Sequence, residues 1–235
     1  MKTEGGTDEA KRRAGERAAR AVEDGTVVGL GTGSTTACAI DALGRAVADG
    51  LEIRAVPTSF QSRRLALEAD IPVTELDAVD RIDLAIDGAD QVVDQPAASA
   101  HGALIKGGGA AHTREKLIDA TAERFVVVVD PSKLTDELDR SVPLEVLPDA
   151  HSVVGDRVRE LSGEPTLRDA TGKDGPVVTD NGNLVLDCAF GAISEPGDLA
   201  SRLSRIPGVV EHGLFVGLAD ATYVGTDDGL EVREY

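Results

Sequence analysis

Cysteine and lysine are scarce in this sequence, and it contains no long apolar run. Its 235 residues include two cysteines, Cys38 and Cys188, which are too few and too far apart to indicate a disulfide framework. The four histidines have no metal-ligand spacing with them, so we expect neither a structural disulfide nor zinc. No segment approaches the roughly 18 consecutive apolar residues that a membrane helix needs. The polar N-terminus lacks the apolar core of a signal peptide, which predicts a cytoplasmic location.

The scarcity of lysine accompanies a strong excess of acidic residues. Asp and Glu number 42 against 24 Lys and Arg, the net charge is −18, and only 6 residues are lysine. Such a charge opposes binding to nucleic acid and to anionic membranes, and we predict neither as a partner. The composition resembles that of proteins from salt-loving archaea, where about 1 M salt shortens the Debye length to ~3 Å. An acidic protein that binds an anion must concentrate positive charge locally, so the positions of the lysines are informative.

Apolar strands and helical patterns alternate along the first part of the chain. Helices are predicted near residues 8 to 23, 34 to 50 and 59 to 68, and a further helix is predicted to begin near Ala110. The segments TVVGLG, LEIRAV, IPVTEL, RIDLAID, ALIK and FVVVVD are predicted strands, and the last is apolar throughout, as in a parallel sheet covered on both faces. This alternation predicts an α/β fold with a Rossmann-like, doubly wound, mainly parallel sheet. We assign residues 1–133 and 209–235 to this catalytic domain.

The pattern changes beyond Lys133. VPLEVLP, a helix near residues 149 to 161, TLRDA, a hairpin around Asn181 and Gly182, and a helix near residues 198 to 205 follow in β-α-β-β-α order. This order predicts a second, smaller α+β domain of the ferredoxin-like type over residues 134–208. Within the first domain, residues 91–102 are predicted to form an excursion from the sheet.

The first candidate motif is GLGTGSTT, residues 29–36, between an apolar strand and a helix. Backbone N–H groups and the helix dipole at such a turn favour phosphate or sugar phosphate. A dinucleotide-binding turn is an alternative, although Ser34 replaces the third glycine of that fingerprint. A purely structural turn is the other alternative.

The second motif is DGAD, residues 87–90, at the end of a predicted strand, where open α/β sheets bind ligands. Its paired carboxylates suit hydrogen bonds to sugar hydroxyls or proton transfer. Magnesium binding and a capped polar turn are the alternatives.

The third motif is KGGGAAHTRE, residues 106–115, where a predicted strand runs into a helix. The glycines expose backbone N–H groups without side-chain obstruction, and Glu115 follows in the helix. Taken alone, Glu115 has the simpler interpretation of an acid near a helix N-terminus. All three loops follow strands, however, so we expect them to converge on one edge of one sheet.

Together, GLGTGST, DGAD, KGGGAAHTREK and the downstream DPSK resemble ribose-5-phosphate isomerase, type A. The resemblance extends over nearly the whole chain, including the leading helix with Lys11, the TDNGN hairpin and the closing PGVVEHGLF. One departure is Gln91, where the family usually has glutamate after the second aspartate. The change removes a charge beside the predicted site and leaves the reaction class intact.

The resemblance implies reversible interconversion of D-ribose 5-phosphate and D-ribulose 5-phosphate, a step of the non-oxidative pentose phosphate pathway, through a cis-enediolate. It implies no metal, no organic cofactor, and a homodimer or homotetramer. The implied catalytic residues are Glu115 as general base, Asp87, Asp90 and Lys106. The implied substrate-binding residues are Thr32, Gly33, Ser34, Thr35, Asp87, Gly88, Ala89, Asp90, Lys106, Gly107, Gly108, Gly109, Lys133 and Lys11.

Three other functions remain as alternatives at this stage. A non-enzymatic sugar-phosphate sensor would need a DNA-binding module, which the short leading helix does not supply. A dinucleotide-dependent oxidoreductase is weakened by Ser34. An amino-sugar phosphate deaminase of related architecture would be separated by an assay for ammonia.

Overall fold

A computed structural model of the protein describes residues 5–94 and 101–235, which form two compact units. Among these residues, the larger unit comprises 5–89, Arg114–Leu134 and Leu218–Tyr235. The smaller unit comprises the described part of Asp90–Thr113 and Thr135–Gly217. In the part of the chain that the structure describes, no helix has the length and apolar character needed to cross a membrane.

The elements alternate along the chain largely as predicted. The helices are α1 (Asp8–Ala19), α2 (Ser34–Ala48), α3 (Phe60–Glu68), α4 (His112–Thr121), α5 (His151–Glu160) and α6 (Pro196–Leu203). The strands are β1 (Val27–Leu30), β2 (Arg54–Pro57), β3 (Leu84–Asp87), β4 (Gln91–Val93), β5 (Leu104–Ile105), β6 (Phe125–Val129), β7 (Leu134–Thr135), β8 (Val142–Val146), β9 (Glu164–Leu167), β10 (Leu184–Ala189), β11 (Val209–His212), β12 (Leu214–Phe215), β13 (Ala221–Gly225) and β14 (Leu230–Glu234).

The larger unit is built on a six-stranded sheet in the order β14-β13-β6-β3-β1-β2. The pairs from β13 to β2 are parallel, and β14 joins β13 antiparallel at one edge. Every residue of β1, β3, β6 and β13 is buried, because helices cover both faces. The predicted doubly wound, mainly parallel sheet is confirmed.

Helix α4 runs antiparallel to the strands on which it packs. A Cβ atom on Gly29, in the middle of β1, would lie 2.6 Å from Ile118 Cγ2, so only glycine permits this close approach. Ala122, just past the helix, bridges to Ile82, before the start of β3. The helix therefore passes from the amino edge of the sheet at its last residues to the carboxyl edge at its first turn.

The smaller unit contains the predicted ferredoxin-like arrangement. Its elements follow as β8-α5-β9-β10-α6-β11, and the antiparallel sheet has the order β11-β8-β10-β9. An apolar core that includes Leu144, Val158 and Leu203 lies within this unit. A second four-stranded sheet has the order β12-β5-β4-β7.

The structure differs from the predictions in two segments and in the domain boundaries. IPVTEL forms no strand: Val73 makes a single bridge to Ala55, Pro72 has no N–H to donate, and the chain turns into a 3-10 helix at Leu76–Ala78. Residues 91–102, predicted as an excursion, begin with β4, while 95–100 lie outside the described residues. Residues 90–94, 101–113 and 209–217, assigned by prediction to the catalytic domain, belong to the smaller unit, because β4, β5 and β12 form a separate sheet.

Candidate active site

In the larger unit, Asp87 is the centre of the carboxyl edge of the sheet. It ends β3, is fully buried, and its Oδ1 accepts hydrogen bonds from the backbone amides of Thr32 (3.0 Å) and Gly88 (2.6 Å). Thr32 follows the neighbouring strand β1, so the GLGTGST loop meets the first aspartate of DGAD directly. Two of the three predicted loops therefore converge, as parallel strand order requires. The prediction of one edge of one sheet is wrong for the third loop, because it follows β5 in the separate sheet β12-β5-β4-β7.

Glycine is required where these two loops meet. A Cβ atom on Gly31 would lie 1.9 Å from both Cγ and Oδ1 of Asp87. Gly33, with φ of +132°, then reverses the chain into α2. Beyond it, Ser34 is exposed and Thr35 is buried in the first turn of that helix.

The sequence analysis missed a third loop at the same edge. The hydroxyl of Thr32 donates to Ser59 Oγ at 2.6 Å and lies 3.0 Å from Thr58 Oγ1. Thr58 and Ser59 follow β2, and Ser59 also caps α3. Hydroxyl residues directly after a parallel strand were the signal in the sequence that could have identified them.

Glu115 lies in the first turn of α4, at the carboxyl edge of the sheet. Glu115 is only 4% exposed, although a carboxylate in the first turn of a helix is usually exposed to water. It shares the buried face of the helix with Ile118, one turn later. Burial in this position suits a base that must act away from bulk water.

Two predicted lysines belong to the larger unit, and both are partly buried. Lys133 ends a 3-10 helix, Pro131–Lys133, directly after β6 and therefore also at the carboxyl edge of the sheet. Asp130 begins this turn and accepts the backbone amide of Ser132 at 2.9 Å. Lys11 lies in α1.

In the smaller unit, Asp90 and the glycine loop are joined by hydrogen bonds. The backbone amide of Gly108 donates to Asp90 Oδ2 at 2.7 Å, and the amide of Asp90 donates to Ile105 O at 2.8 Å. Gly107 has φ of +102°, and a Cβ atom there would lie 2.7 Å from His112 Nδ1. The resemblance implies that Gly108 contacts the substrate. In the structure, its backbone amide instead donates a hydrogen bond to Asp90.

Lys106 is 2% exposed, which is unusual for a lysine. Its Nζ lies 5.3 Å from the centroid of the Phe215 ring, a favourable cation–π distance. Its backbone amide donates to Gly213 O at 2.9 Å, and a Cβ atom on Gly213 would lie 2.2 Å from Lys106 O. The buried lysine is therefore held by the Phe215 ring and by the backbone of Gly213.

An ion pair that the sequence did not reveal supports the same loop. Arg168 Nε donates to Asp187 Oδ2 at 2.8 Å, and Arg168 Nη2 donates to Asp187 Oδ1. The remaining nitrogen, Nη1, donates to the carbonyl oxygens of Gly107 (2.9 Å) and Gly108 (3.3 Å). The guanidinium thus connects β10 to the glycine loop.

The buried carboxylate of Glu145, in β8, accepts hydrogen bonds from polar side chains of the TDNGN hairpin. Its oxygens accept hydrogen bonds from Thr179 (2.9 Å), Asn181 (2.9 Å) and Asn183 (2.8 Å), and from the hydroxyl of Thr113 in α4. Burial raises the pKa of Glu145, but these donors outweigh it and hold the pKa below its ordinary value. A lone acid within the apolar segment VPLEVLP was the available sequence signal.

Gln91 is buried and points toward the 139–140 turn. Its Nε2 donates to Asp139 Oδ1 at 2.6 Å, and its Oε1 accepts the backbone amides of Asp139 (3.0 Å) and Arg140 (3.1 Å). A glutamate here would set a carboxylate against Asp139. The neutral amide of Gln91 therefore stabilises the 139–140 turn, because it both donates and accepts hydrogen bonds there.

Neither cysteine is a candidate nucleophile. Burial, reinforced by the Asp187 carboxylate, raises the pKa of the Cys188 thiol to about 12. Burial and nearby carboxylates also raise the pKa of Cys38. Within residues 5–94 and 101–235, no group of three or more His, Cys, Asp or Glu side chains is arranged to hold a metal ion.

Comparisons with known proteins identify the family of the chain. The family model described as ribose 5-phosphate isomerase A (phosphoriboisomerase A) matches residues 54–229. The ribose-5-phosphate isomerase A of Natronomonas pharaonis is 65% identical over 233 residues, covering 99% of this chain and 100% of that protein. Several relatives come from haloarchaea, in agreement with the acidic composition.

Solved structures give the same result. Ribose 5-phosphate isomerase A from Methanocaldococcus jannaschii has a TM-score of 0.91 and 41% identity, covering 97% of this chain and 99% of that one. A D-ribose-5-phosphate isomerase in complex with phospho-erythronic acid has a TM-score of 0.93 and 43% identity, covering 98% and 100%. The chain belongs to the ribose 5-phosphate isomerase A family.

Proposed function

We propose that this chain interconverts D-ribose 5-phosphate and D-ribulose 5-phosphate through a cis-enediolate, with Glu115 as the general base. The observation that carries the proposal is the buried carboxylate of Glu115 at the sheet edge where Thr32 and Asp87 meet. The family supports the substrate, and a relative 43% identical to the chain binds phospho-erythronic acid, a sugar-acid phosphate.

The base takes a proton from one carbon and delivers a proton to the adjacent carbon. Glu115 removes the proton from C2 of the open-chain aldose, and the electrons of that bond form the C1–C2 double bond of the enediolate. The carbonyl electrons move to O1, and delivery of a proton from Glu115 to C1, with transfer of the O2 proton to O1, gives the ketose. Nothing is oxidised or reduced overall, and no cofactor is required.

The developing oxyanion needs positive charge. We assign this role to Lys106 with the amides of the glycine loop, while Gly108 holds Asp90. Asp87 and Asp90 bind hydroxyls and assist ring opening or proton transfer between O1 and O2.

The phosphate binds where positive potential is available in the larger unit. The loop of Thr32, Gly33, Ser34 and Thr35 leads into the N-terminus of α2, which favours an anion. Lys133, with Lys11, supplies the cationic side chain. The protein acts in the cytoplasm as a homodimer or homotetramer, and light scattering in concentrated KCl tests the assembly.

The direct test mixes purified protein with ribose 5-phosphate at high KCl and follows ribulose 5-phosphate. We expect ketose to accumulate to equilibrium, and the same equilibrium to be reached from the ketose side. The assay is repeated with EDTA present, where the rate is expected to be unchanged. Absence of ketose at every salt concentration would overturn the proposal.

A further inference from the structure

We propose that Arg168, held by Asp187, is a positioning residue that orients Asp90 through the peptide group between Gly107 and Gly108. The inference rests on the proposed function, because Asp90 and the glycine loop must act on the sugar for their orientation to matter. It adds two residues that neither the motifs nor the loop sequence identified.

The ion pair fixes the plane of the guanidinium. Arg168 directly follows β9, and its backbone amide donates to Val185 O in β10 at 2.9 Å. Its side chain is 11% exposed and that of Asp187 is 22% exposed. Two parallel hydrogen bonds from an arginine to one carboxylate determine distance and orientation together, which a lysine cannot do.

One guanidinium nitrogen remains to hold the loop. Arg168 Nη1 donates to Gly107 O at 2.9 Å and to Gly108 O at 3.3 Å. Glycine has greater backbone freedom than other residues, and Gly107 has φ of +102°. A loop of this composition has no side chains with which to fix itself, so an external donor limits its conformations.

The same peptide group carries the effect to Asp90. The Gly107 carbonyl and the Gly108 N–H belong to one planar trans peptide and point in opposite directions. Arg168 binds its oxygen, and the N–H donates to Asp90 Oδ2 at 2.7 Å. Hydrogen bonds in such a chain strengthen one another, by about 10–30% each. The order Asp187, Arg168, peptide, Asp90 therefore forms one hydrogen-bonded chain.

The guanidinium contacts this loop through two backbone carbonyl oxygens. Arg168 contacts the glycine loop at its carbonyl oxygens and not at the N–H groups assigned to the substrate, so its contribution is geometric. Displacement of reacting groups by about 1 Å can cost on the order of a hundredfold in rate. We therefore expect loss of Arg168 to lower kcat more than it changes KM.

The test measures kcat and KM for ribose 5-phosphate with Arg168→Ala and Arg168→Lys. We expect kcat to fall about a hundredfold for Arg168→Ala and about tenfold for Arg168→Lys, with KM within about threefold. Added guanidinium ion at millimolar concentration should restore part of the lost kcat of Arg168→Ala, because it can occupy the vacated position beside Asp187. Arg157→Lys is the matched control, since Arg157 in the same unit pairs with Glu160 at the surface.

The possible outcomes separate the two proposals. An inactive wild-type protein would contradict the proposed function itself. With an active wild type, an unchanged kcat in folded Arg168→Ala would overturn the positioning role, and so would a loss confined to KM. Circular dichroism reports folding. If Arg168→Lys fails to fold, or guanidinium restores nothing, the pair serves stability alone and the inference is wrong.

Discussion

The two units hold their candidate residues by different means. In the larger unit, Asp87 is fixed by backbone amides of Thr32 and Gly88, which belong to the loops of adjacent strands. In the smaller unit, the glycine loop is fixed by a charged side chain, Arg168, located about 60 residues later in the chain. A site at a parallel sheet edge follows from strand order, whereas a loop held by side chains depends on partners distant in sequence.

The largest effect is expected for Glu115→Gln. The amide keeps the shape of the side chain but cannot accept the C2 proton, so kcat should fall on the order of a thousandfold. Calorimetry should detect nearly unchanged sugar phosphate binding. Glu123→Gln is the control, because Glu123 pairs with Arg81 at the surface of the same unit. A near-normal kcat for Glu115→Gln would remove the base from the mechanism.

A matched pair of glycine substitutions compares the two units directly. In Gly31→Ala the new Cβ would lie 1.9 Å from Asp87 Cγ, and in Gly108→Ala 2.7 Å from Asp90 Oδ1. Asp87 is fully buried, whereas Asp90 is partly buried and its carboxylate can rotate away. We expect Gly31→Ala to destabilise the protein by about 3 kcal/mol and Gly108→Ala by about 1 kcal/mol.

Denaturant unfolding measures both variants. Gly229→Ala serves as control, since a Cβ atom there meets nothing closer than Thr226 Oγ1 at 3.9 Å. Equal losses in Gly31→Ala and Gly108→Ala would show that the two loops are held equally tightly, which contradicts the comparison.

Glu145 provides a test of the smaller unit through pH. Its pKa is lowered below 4.5, so its contribution to stability is complete above about pH 4.5 and is lost as pH falls through the folded-state pKa. Glu145→Gln places an amide N–H group opposite hydrogen-bond donors of the hairpin. We expect it to lower the free energy of unfolding by about 2 kcal/mol at neutral pH. The variant should also lose part of the acid sensitivity of the wild type.

We compare wild type and Glu145→Gln by their unfolding free energies at constant salt. The measurements run from about pH 3 to about pH 7 in steps of about one unit. Glu160→Gln, at an exposed position of the same unit, should retain the wild-type pH dependence. Identical pH curves for wild type and Glu145→Gln would show that other carboxylates cause the acid sensitivity.

The smallest effect is expected for Gln91→Glu, which restores the residue usual in the family. The new carboxylate would face Asp139 Oδ1, now 2.6 Å from Gln91 Nε2. We expect a loss of about 1 kcal/mol in low salt, less in concentrated KCl, and an unchanged pH profile of kcat. A shifted pH profile would connect residue 91 to the chemistry after all.

The same comparison explains what could be read from the sequence. The strand ends at GLGTGST and DGAD predicted where Thr32 and Asp87 lie, because parallel strands bring their ends together. The partner of Gly108 could not be read, since it depends on the conformation of a glycine loop. Asp90 was predicted as a substrate contact, but its bond to the loop was not.

Long-range pairs were the least accessible part. Nothing local to TLRDA or NLVLDCAF indicates that Arg168 and Asp187 pair, and only the register of β9 and β10 brings them together. Likewise, Glu145 and Thr113 are 32 residues apart, and their contact requires the hairpin and α4 to be folded. The ferredoxin-like order of strands was predictable because each strand and helix has its own hydrophobic period.

Deuterium exchange tests the central claim most directly. Ribose 5-phosphate is incubated in D₂O with wild-type protein or with Glu115→Gln, and proton NMR follows the hydrogen at C2. A base at Glu115 predicts replacement of that hydrogen by deuterium as the wild-type protein turns over, and almost none with the variant. Exchange by the variant at the wild-type rate would contradict proton transfer by Glu115.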